Sequence, residues 1–105
     1  ATVLPHQRPG YRHVYHLYET ETRDAADRNS LLAHLNEKGV DAKTHYSIAI
    51  HQQEGYPWGK DAEIRGSLGN GQKSAASCIS LPIFPELTAE EVDYVIDSVK
   101  SWKKK

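Results

Sequence analysis

Hydrophobic residues recur at helical spacing in two segments of the chain. The first segment begins at Asp24 or Asp27, either of which is a suitable N-cap, and stops at Gly39, a residue type that readily adopts the left-handed conformation of a helix C-terminus. Between them lies one apolar stripe made of three leucines: Leu31, Leu32 and Leu35. The pattern predicts an amphipathic helix that packs against a core.

The second segment contains the clearest local signals. Thr88 and Glu91 have the spacing of a capping box, in which each side chain accepts a hydrogen bond from a free backbone N–H at the start of a helix. Five apolar residues then follow at helical spacing: Val92, Val95, Ile96, Val99 and Trp102. We therefore predict a second helix at the C-terminal end of the chain.

Three other segments have the character of strands. In residues 12–22, aromatic and β-branched residues nearly alternate with polar ones, which predicts a half-buried strand. Residues 40–46 and 77–84 are short segments suited to two more strands, whereas residues 47–74 are interrupted by glycine and proline and should be mostly loop. The order of elements predicts an α+β fold: a small sheet, antiparallel or mixed, of about three strands, covered on one face by two helices.

The composition of the chain mainly excludes classes of protein. The chain has 105 residues, 38% hydrophobic and 26% charged, which suits one globular domain. We predict a linker in residues 1–11, which contain two prolines, and the domain in residues 12–105. The net charge of −1 argues against a nucleic-acid partner, and no apolar run approaches the roughly 20 residues that cross a membrane. The single Cys78 excludes an internal disulfide and predicts a cytoplasmic location.

Three motifs point to no chemistry of their own. His13 and His16 lie three residues apart on a predicted strand, so they face opposite sides and do not suit one metal ion. Residues 66–74 approach a phosphate-binding loop, but Gln72 separates the second glycine from the lysine, and we predict a plain loop. Cys78 has apolar neighbours and is expected to be a buried structural residue. We predict no catalytic residue and no metal site in this chain.

Residues 44–56, THYSIAIHQQEGY, concentrate polar aromatic chemistry at the start of the irregular region. They contain two histidines, two tyrosines and two glutamines, all able to donate hydrogen bonds. Histidine can also be positively charged near neutral pH, so this set suits a polar ligand that carries phosphates and hydroxyls. The same composition is typical of a solvated loop with aromatic anchors, and from the residues alone both interpretations stand.

Three blocks of sequence together resemble one known family. They are RHVYHLY (residues 12–18) followed by DRNSLLAHLNEKGV (27–40), then THYSIAIHQQEGY (44–56), and finally SLPIFPELTAEEVDYVIDSV (80–99). In this order and spacing they are similar to the C-terminal small domain of the DegT/DnrJ/EryC1/StrS family, whose members are pyridoxal-phosphate-dependent sugar-nucleotide aminotransferases of fold type I. From the first block to the last, the match covers about nine-tenths of the chain.

The resemblance assigns roles to residues of the middle block. It implies that five residues lie near the mouth of an active site and bind a nucleotide-sugar substrate: His45, Tyr46, His51, Gln53 and Tyr56. Ser47 and Ala49 stand where the family prefers proline, which predicts a less rigid loop. Ser80 also matches the family, and we expect it to serve packing.

The resemblance also implies what lies outside this chain. Family members bind pyridoxal phosphate in a larger N-terminal domain, which supplies the Schiff-base lysine and the aspartate that faces the pyridinium nitrogen. Because no lysine here has a similar context, we expect the isolated chain to carry no cofactor and to be catalytically inert. The implied parent is a homodimer that uses a nucleotide sugar and an amino-acid donor. A start at Ala1 rather than methionine fits processing or excision from a longer chain.

Two alternatives remain at this stage. A branch of the same family carries out sugar dehydration with a histidine in place of the catalytic lysine, and that deciding position is not in this sequence. In the second alternative, the chain is a freestanding, non-catalytic domain that binds a partner protein or a nucleotide sugar.

Overall fold

The structure, a computed structural model, describes residues 2–57 and 59–102. Within them the chain forms six elements: strand β1 (Tyr18–Glu21), helix α1 (Ala25–Glu37), a 3₁₀ helix (Ile50–Gln52), helix α2 (Gly69–Ser77), strand β2 (Cys78–Leu81) and helix α3 (Ala89–Ser101). The predicted α+β class is confirmed. The count of elements differs from the prediction, since this part of the chain has two named strands and three α-helices.

The two strands form an antiparallel pair in which Tyr18 lies opposite Leu81 and Glu21 lies opposite Cys78. The predicted strand in residues 40–46 is reduced to a single bridge, between Lys43 and Ser80. On the other side of the sheet, a second isolated bridge joins residue 3 to β1. The sheet is therefore two strands wide, with one-residue extensions at each edge.

The strand predicted for residues 12–22 is shorter than its alternation indicates. Tyr15 has a φ of +49°, in the left-handed region, which breaks the extended backbone that a strand requires. The His13 ring stacks on the Tyr15 ring at a centroid distance of 4.2 Å, and its Nδ1 accepts a hydrogen bond from the Tyr15 N–H. The side chain of Val14 is 83% exposed, so the apolar residues of this segment do not share a buried face. The strand begins only at Tyr18.

Helix α1 has the boundaries that its sequence predicts. Asp24 is the N-cap: its carboxylate accepts a hydrogen bond of 2.9 Å from the backbone N–H of Asp27. At the other end, Gly39 has a φ of +73°, and the chain turns there so that the Val40 N–H bonds to the Leu35 carbonyl. The helix thus begins and ends through local hydrogen bonds.

The core lies between α1, β2 and α3. Five buried residues form it: Leu31, Leu35, Val40, Ala42 and Ile79. Partly buried side chains pack around these: Leu32, Leu81, Val95, Val99 and Trp102. Three of the five apolar residues predicted for α3 thus face the same interior as the leucines of α1, whereas Val92 and Ile96 are exposed.

Hydrogen bonds between side chains and the opposite helix fix α1 against α3. The Nε2 atom of His34 in α1 lies 3.0 Å from the Ser98 carbonyl oxygen in α3. At the end of α3, the Trp102 indole N–H donates to the Ser30 hydroxyl at 3.2 Å. These contacts join positions more than sixty residues apart and set how the two apolar stripes meet.

Helix α2 corrects the predicted loop. Residues 69–74 are helical although Gly69 and Gly71 both disfavour a helix, so the prediction of a plain loop through residue 74 is wrong there. Tertiary contacts hold this helix: the Ser74 hydroxyl donates to the Glu21 carboxylate at 2.6 Å. The Ser77 carbonyl accepts hydrogen bonds from both the backbone N–H and the hydroxyl of Thr22. Contacts with distant residues thus override weak local propensity.

The capping box at the start of α3 predicts a pH-dependent stability. The Thr88 hydroxyl accepts from the Glu91 N–H, and the Glu91 carboxylate accepts from the Thr88 N–H at 2.8 Å. These hydrogen bonds from Thr88 hold the pKa of Glu91 below its ordinary value of 4.5. A lowered pKa in the folded state means that the stabilisation is present above pH 4.5 and is lost as the pH falls through the folded-state pKa. Glu91→Gln should therefore lower the free energy of unfolding at pH 7, and the difference should close in acid.

The measurement is urea denaturation from pH 7 to pH 3, with Glu90→Gln as the matched control. Glu90 lies in the same first turn, but its side chain forms no hydrogen bond with the described residues. An equal pH-dependent loss in both variants would contradict a role for the capping box.

Candidate functional site

The candidate site starts where the chain leaves the edge of the sheet. The Ser80 N–H donates to the Lys43 carbonyl at 2.8 Å, and the Lys43 N–H donates to the Ser80 carbonyl at 3.1 Å. This bridge places His45, two residues further on, beside strand β2. The sheet edge therefore determines where the first predicted site residue lies.

A hydrogen bond to a serine of strand β2 holds the side chain of His45. Its Nδ1 atom lies 2.9 Å from the hydroxyl oxygen of Ser80, which is only 4% exposed. The ring meets the Tyr46 ring edge-on, with centroids 5.6 Å apart and planes at 86°, across a cis peptide bond. Tyr46 itself is 75% exposed. His45 is thus half-buried and anchored, whereas the Tyr46 ring extends into solvent.

The other three predicted residues lie around the 3₁₀ helix. His51 belongs to it, and its Nε2 atom is 3.0 Å from the amide nitrogen of Gln72 in α2, so the amide donates to the ring. Gln53 follows the helix with an exposed side chain, and its carbonyl accepts a hydrogen bond from the Tyr56 N–H. The loop is therefore attached at two places: at β2 through His45 and at α2 through His51.

Two contact residues were not among the sequence-predicted site residues. Ser80 was expected only to pack, and Gln72 was considered only as an interruption of a phosphate-binding loop. Each touches a site histidine through its side chain. Neither contact has a local signal, because the partners are 35 and 21 residues apart in the sequence.

Cys78 lies in the strand beneath this site. It is buried, as its apolar neighbours predict, and it is a free thiol. Burial raises the pKa of the Cys78 thiol, and the negative charge of Glu19 adds to the effect, while a hydrogen bond from the His45 backbone opposes it. A buried thiol with a raised pKa is a poor nucleophile, which agrees with a structural role.

The described ranges contain no group of three or more histidine, cysteine, aspartate or glutamate side chains placed to hold a metal ion. His13 and His16 precede β1 instead of lying on opposite faces of it. Across residues 2–57 and 59–102, no helix is long and apolar enough to span a membrane.

Large apolar side chains are exposed on the loop that carries the site. Tyr46 is followed along the chain by Ile48 and Ile50, which are 53% and 70% exposed. Exposed hydrophobic side chains of this size, at alternate positions of one loop, are typical of a surface that another protein element covers.

The fold has clear counterparts among known proteins. The model of the DegT/DnrJ/EryC1/StrS aminotransferase family matches residues 1–100, and the chain belongs to that family. The match includes residues 1–11, while the division into linker and domain at residue 12 stays a prediction.

Individual relatives agree with this assignment. The chain is 34% identical over 99 residues to dTDP-3-amino-3,4,6-trideoxy-alpha-D-glucose transaminase of Streptomyces venezuelae. The aligned region covers 94% of this chain and 25% of that protein. It is also 34% identical to the Pleiotropic regulatory protein of Geobacillus stearothermophilus, over 92% of the chain and 25% of the relative. The chain therefore spans about a quarter of the length of the curated relatives it matches.

Solved structures reproduce the fold. The crystal structure of S. venezuelae DesV in complex with a ketimine intermediate superposes with a TM-score of 0.83 at 34% identity, over 96% of this chain and 26% of DesV. The structure of NtdA from Bacillus subtilis with bound cofactor PMP gives a TM-score of 0.76 at 30% identity, over 94% of this chain and 22% of NtdA. Both similarities extend over nearly all of this chain.

The described residues do not fit a pyridoxal-phosphate site. A Schiff-base lysine must stand in a pocket with groups that hold the ring and phosphate. The five described lysines are all exposed: Lys38, Lys43, Lys60, Lys73 and Lys100. One of them, Lys43, forms an ion pair of 2.9 Å with Asp41. No step of cofactor chemistry can be assigned to these side chains.

Proposed function

We propose that this chain is the C-terminal small domain of a pyridoxal-phosphate-dependent aminotransferase that acts on a nucleotide-linked keto sugar. The observation that carries the proposal is the similarity to the S. venezuelae transaminase, which extends over 94% of the chain. The bound cofactor in the related NtdA structure supports the same class of chemistry. The residue that would decide between this reaction and that of a related dehydratase lies outside this chain.

In this proposal, the loop of the candidate site closes over the nucleotide sugar. His45 and Tyr46 contact the substrate, and three further residues help to enclose it: His51, Gln53 and Tyr56. Imidazole and phenol groups can donate to phosphate and hydroxyl oxygens, and a protonated imidazole strengthens such a bond by its charge. The anchored position of His45 against Ser80 supports this role, because a fixed donor loses little conformational entropy when it binds.

The cofactor would be held by a larger N-terminal domain of the parent protein. When bound, pyridoxal phosphate supplies the electron sink for transamination. The side chains of this chain would bind and orient the sugar and exclude water from it, so the isolated chain would be inert and without cofactor. The exposed Tyr46, Ile48 and Ile50 support contact with such a domain. The parent would be a cytoplasmic homodimer with an amino-acid donor.

The test uses the complete product of the natural reading frame that encodes these residues. Purified with pyridoxal phosphate, it should show the visible absorbance of the bound cofactor and should convert a nucleotide-linked keto sugar and glutamate into the amino sugar, followed by mass spectrometry. The 105-residue chain alone is the matched control and should do neither. Loss of water from the sugar in place of amination would favour the dehydratase. Absence of cofactor binding by the complete product would favour a freestanding binding domain and overturn the proposal.

A further inference from the structure

The position of the Ser80 hydroxyl is fixed by the sheet. Both backbone hydrogen-bonding groups of Ser80 pair with Lys43 on one side, and the residue lies opposite Glu19 in the antiparallel pair on the other. Only 4% of the surface of Ser80 is exposed, so bulk water is a poor substitute for a protein partner of its side chain. Its hydroxyl oxygen therefore stands at a defined point, 2.9 Å from Nδ1 of His45.

The contact determines which ring nitrogen carries the proton when the imidazole is neutral. Among the described residues, Nδ1 of His45 is the only hydrogen-bond partner of the Ser80 hydroxyl. If Nδ1 carried the proton, the serine oxygen would accept and its own hydrogen would remain buried without an acceptor, at a cost of about 1–3 kcal/mol. If the hydroxyl donates to Nδ1, both groups are satisfied and the proton is on Nε2.

We propose that Ser80 is a positioning residue that holds His45 in the Nε2–H form and so presents a fixed N–H donor on the side of the ring away from the sheet. The role of that donor towards a substrate oxygen rests on the proposed function. A nucleotide sugar offers phosphate, carbonyl and hydroxyl oxygens, all of which accept from such a group. The assignment of the tautomer rests on the contact with Ser80 and does not require a substrate.

The first test measures the tautomer in the complete gene product, labelled with ¹⁵N at histidine. Long-range proton–nitrogen correlation spectra distinguish Nδ1–H from Nε2–H rings, and loss of a signal in His45→Gln assigns it. We expect the neutral His45 ring to be Nε2–H in the wild-type protein, and Ser80→Ala to increase the Nδ1–H population. A predominantly Nδ1–H ring in the wild-type protein would overturn the inference, and this result does not require that Ser80→Ala folds.

The second test measures substrate binding through steady-state kinetics. Ser80→Ala should raise the KM for the nucleotide sugar about tenfold, the loss expected when one well-placed hydrogen bond is no longer held in position. Ser77→Ala is the matched control, because Ser77 is equally buried but donates to the Lys73 carbonyl within α2. An equal change in KM in both serine variants would indicate a general effect of losing a buried hydroxyl and would overturn the positioning role.

A double-mutant cycle separates this inference from the proposed function. If Ser80 acts through His45, Ser80→Ala should cause no further rise in KM when His45→Ala is already present. Additive effects would overturn the inference. If His45→Ala leaves the KM unchanged, the substrate role in the proposed function fails, and the tautomer measurement still decides whether Ser80 positions the ring.

Discussion

Replacing Leu35 with alanine should lower the free energy of unfolding by about 2–5 kcal/mol, a large part of the roughly 5–15 kcal/mol that holds a typical domain together. Leu35 is fully buried in the core with Leu31 and Ile79, and its carbonyl accepts the hydrogen bond that turns the chain after α1. Removal of its side chain leaves a cavity that the antiparallel strands and α1 cannot easily fill. Urea denaturation followed by circular dichroism measures the change.

Leu4→Ala is the matched control for the same chemical change. Leu4 is 60% exposed, so its truncation should alter the free energy of unfolding by no more than about 0.5 kcal/mol. A similar loss in both variants would mean that Leu35 is not at the centre of the core.

The variant His45→Ala should have the second largest effect, on substrate binding by the complete gene product. If His45 donates a charge-assisted hydrogen bond to the nucleotide sugar, its loss should remove about 1.5–3 kcal/mol of binding free energy, which corresponds to a KM roughly 10- to 100-fold higher. The KM for the amino-acid donor should change much less, because the anchored ring faces the sugar in the proposed arrangement. Steady-state kinetics with each substrate varied in turn measures both constants.

His16→Ala is the control for the removal of an imidazole elsewhere. His16 is exposed and lies before β1, outside the segment that carries the candidate site. Its truncation should leave both KM values unchanged. Equal effects of the two variants, or an unchanged KM for the sugar in His45→Ala, would remove His45 from the substrate site.

The elements that could be predicted from the sequence are those with local causes. Helix α3 begins at Thr88 because the capping box acts between residues three positions apart. Helix α1 begins at Asp24 and turns at Gly39 for similarly local reasons. In both cases the signal and the structure that it predicts lie within one or two turns of helix, so no distant partner is needed to interpret it.

The errors lie where distant residues compete with local preference. Two glycines at the start of α2 argue against a helix, yet contacts from Glu21 and Thr22 hold it in place. The strand in residues 12–22 is interrupted because Tyr15 adopts the left-handed conformation, for which a tyrosine carries no sequence signal. Residues 40–46 pair only at Lys43, although Val40 and Ala42 are buried as strand-like alternation would predict.

The candidate site, too, could be predicted from the sequence only in part. From the residues alone, the loop could be either a binding site for a polar ligand or a solvated surface loop. The choice of His45 and Tyr46 as substrate-binding residues came from the resemblance of the whole block to a known family. The structure adds that these two rings are in contact and that one of them rests on a buried hydroxyl. The complete assignment of family follows from the match over residues 1–100.

Local hydrogen bonds and apolar stripes were thus sufficient to define α1, α3, the α+β class and the loop on which the site lies. Helix α2 and the pairing of Ser80 with His45 depend on partners 53 and 35 residues away, respectively. Such contacts form only when the core of α1, β2 and α3 brings separate segments together, because the entropy of closing long loops is offset by burial of the core as a whole. The proton position on His45 belongs to this second group, since it is determined by a buried hydroxyl for which the local sequence contains no signal.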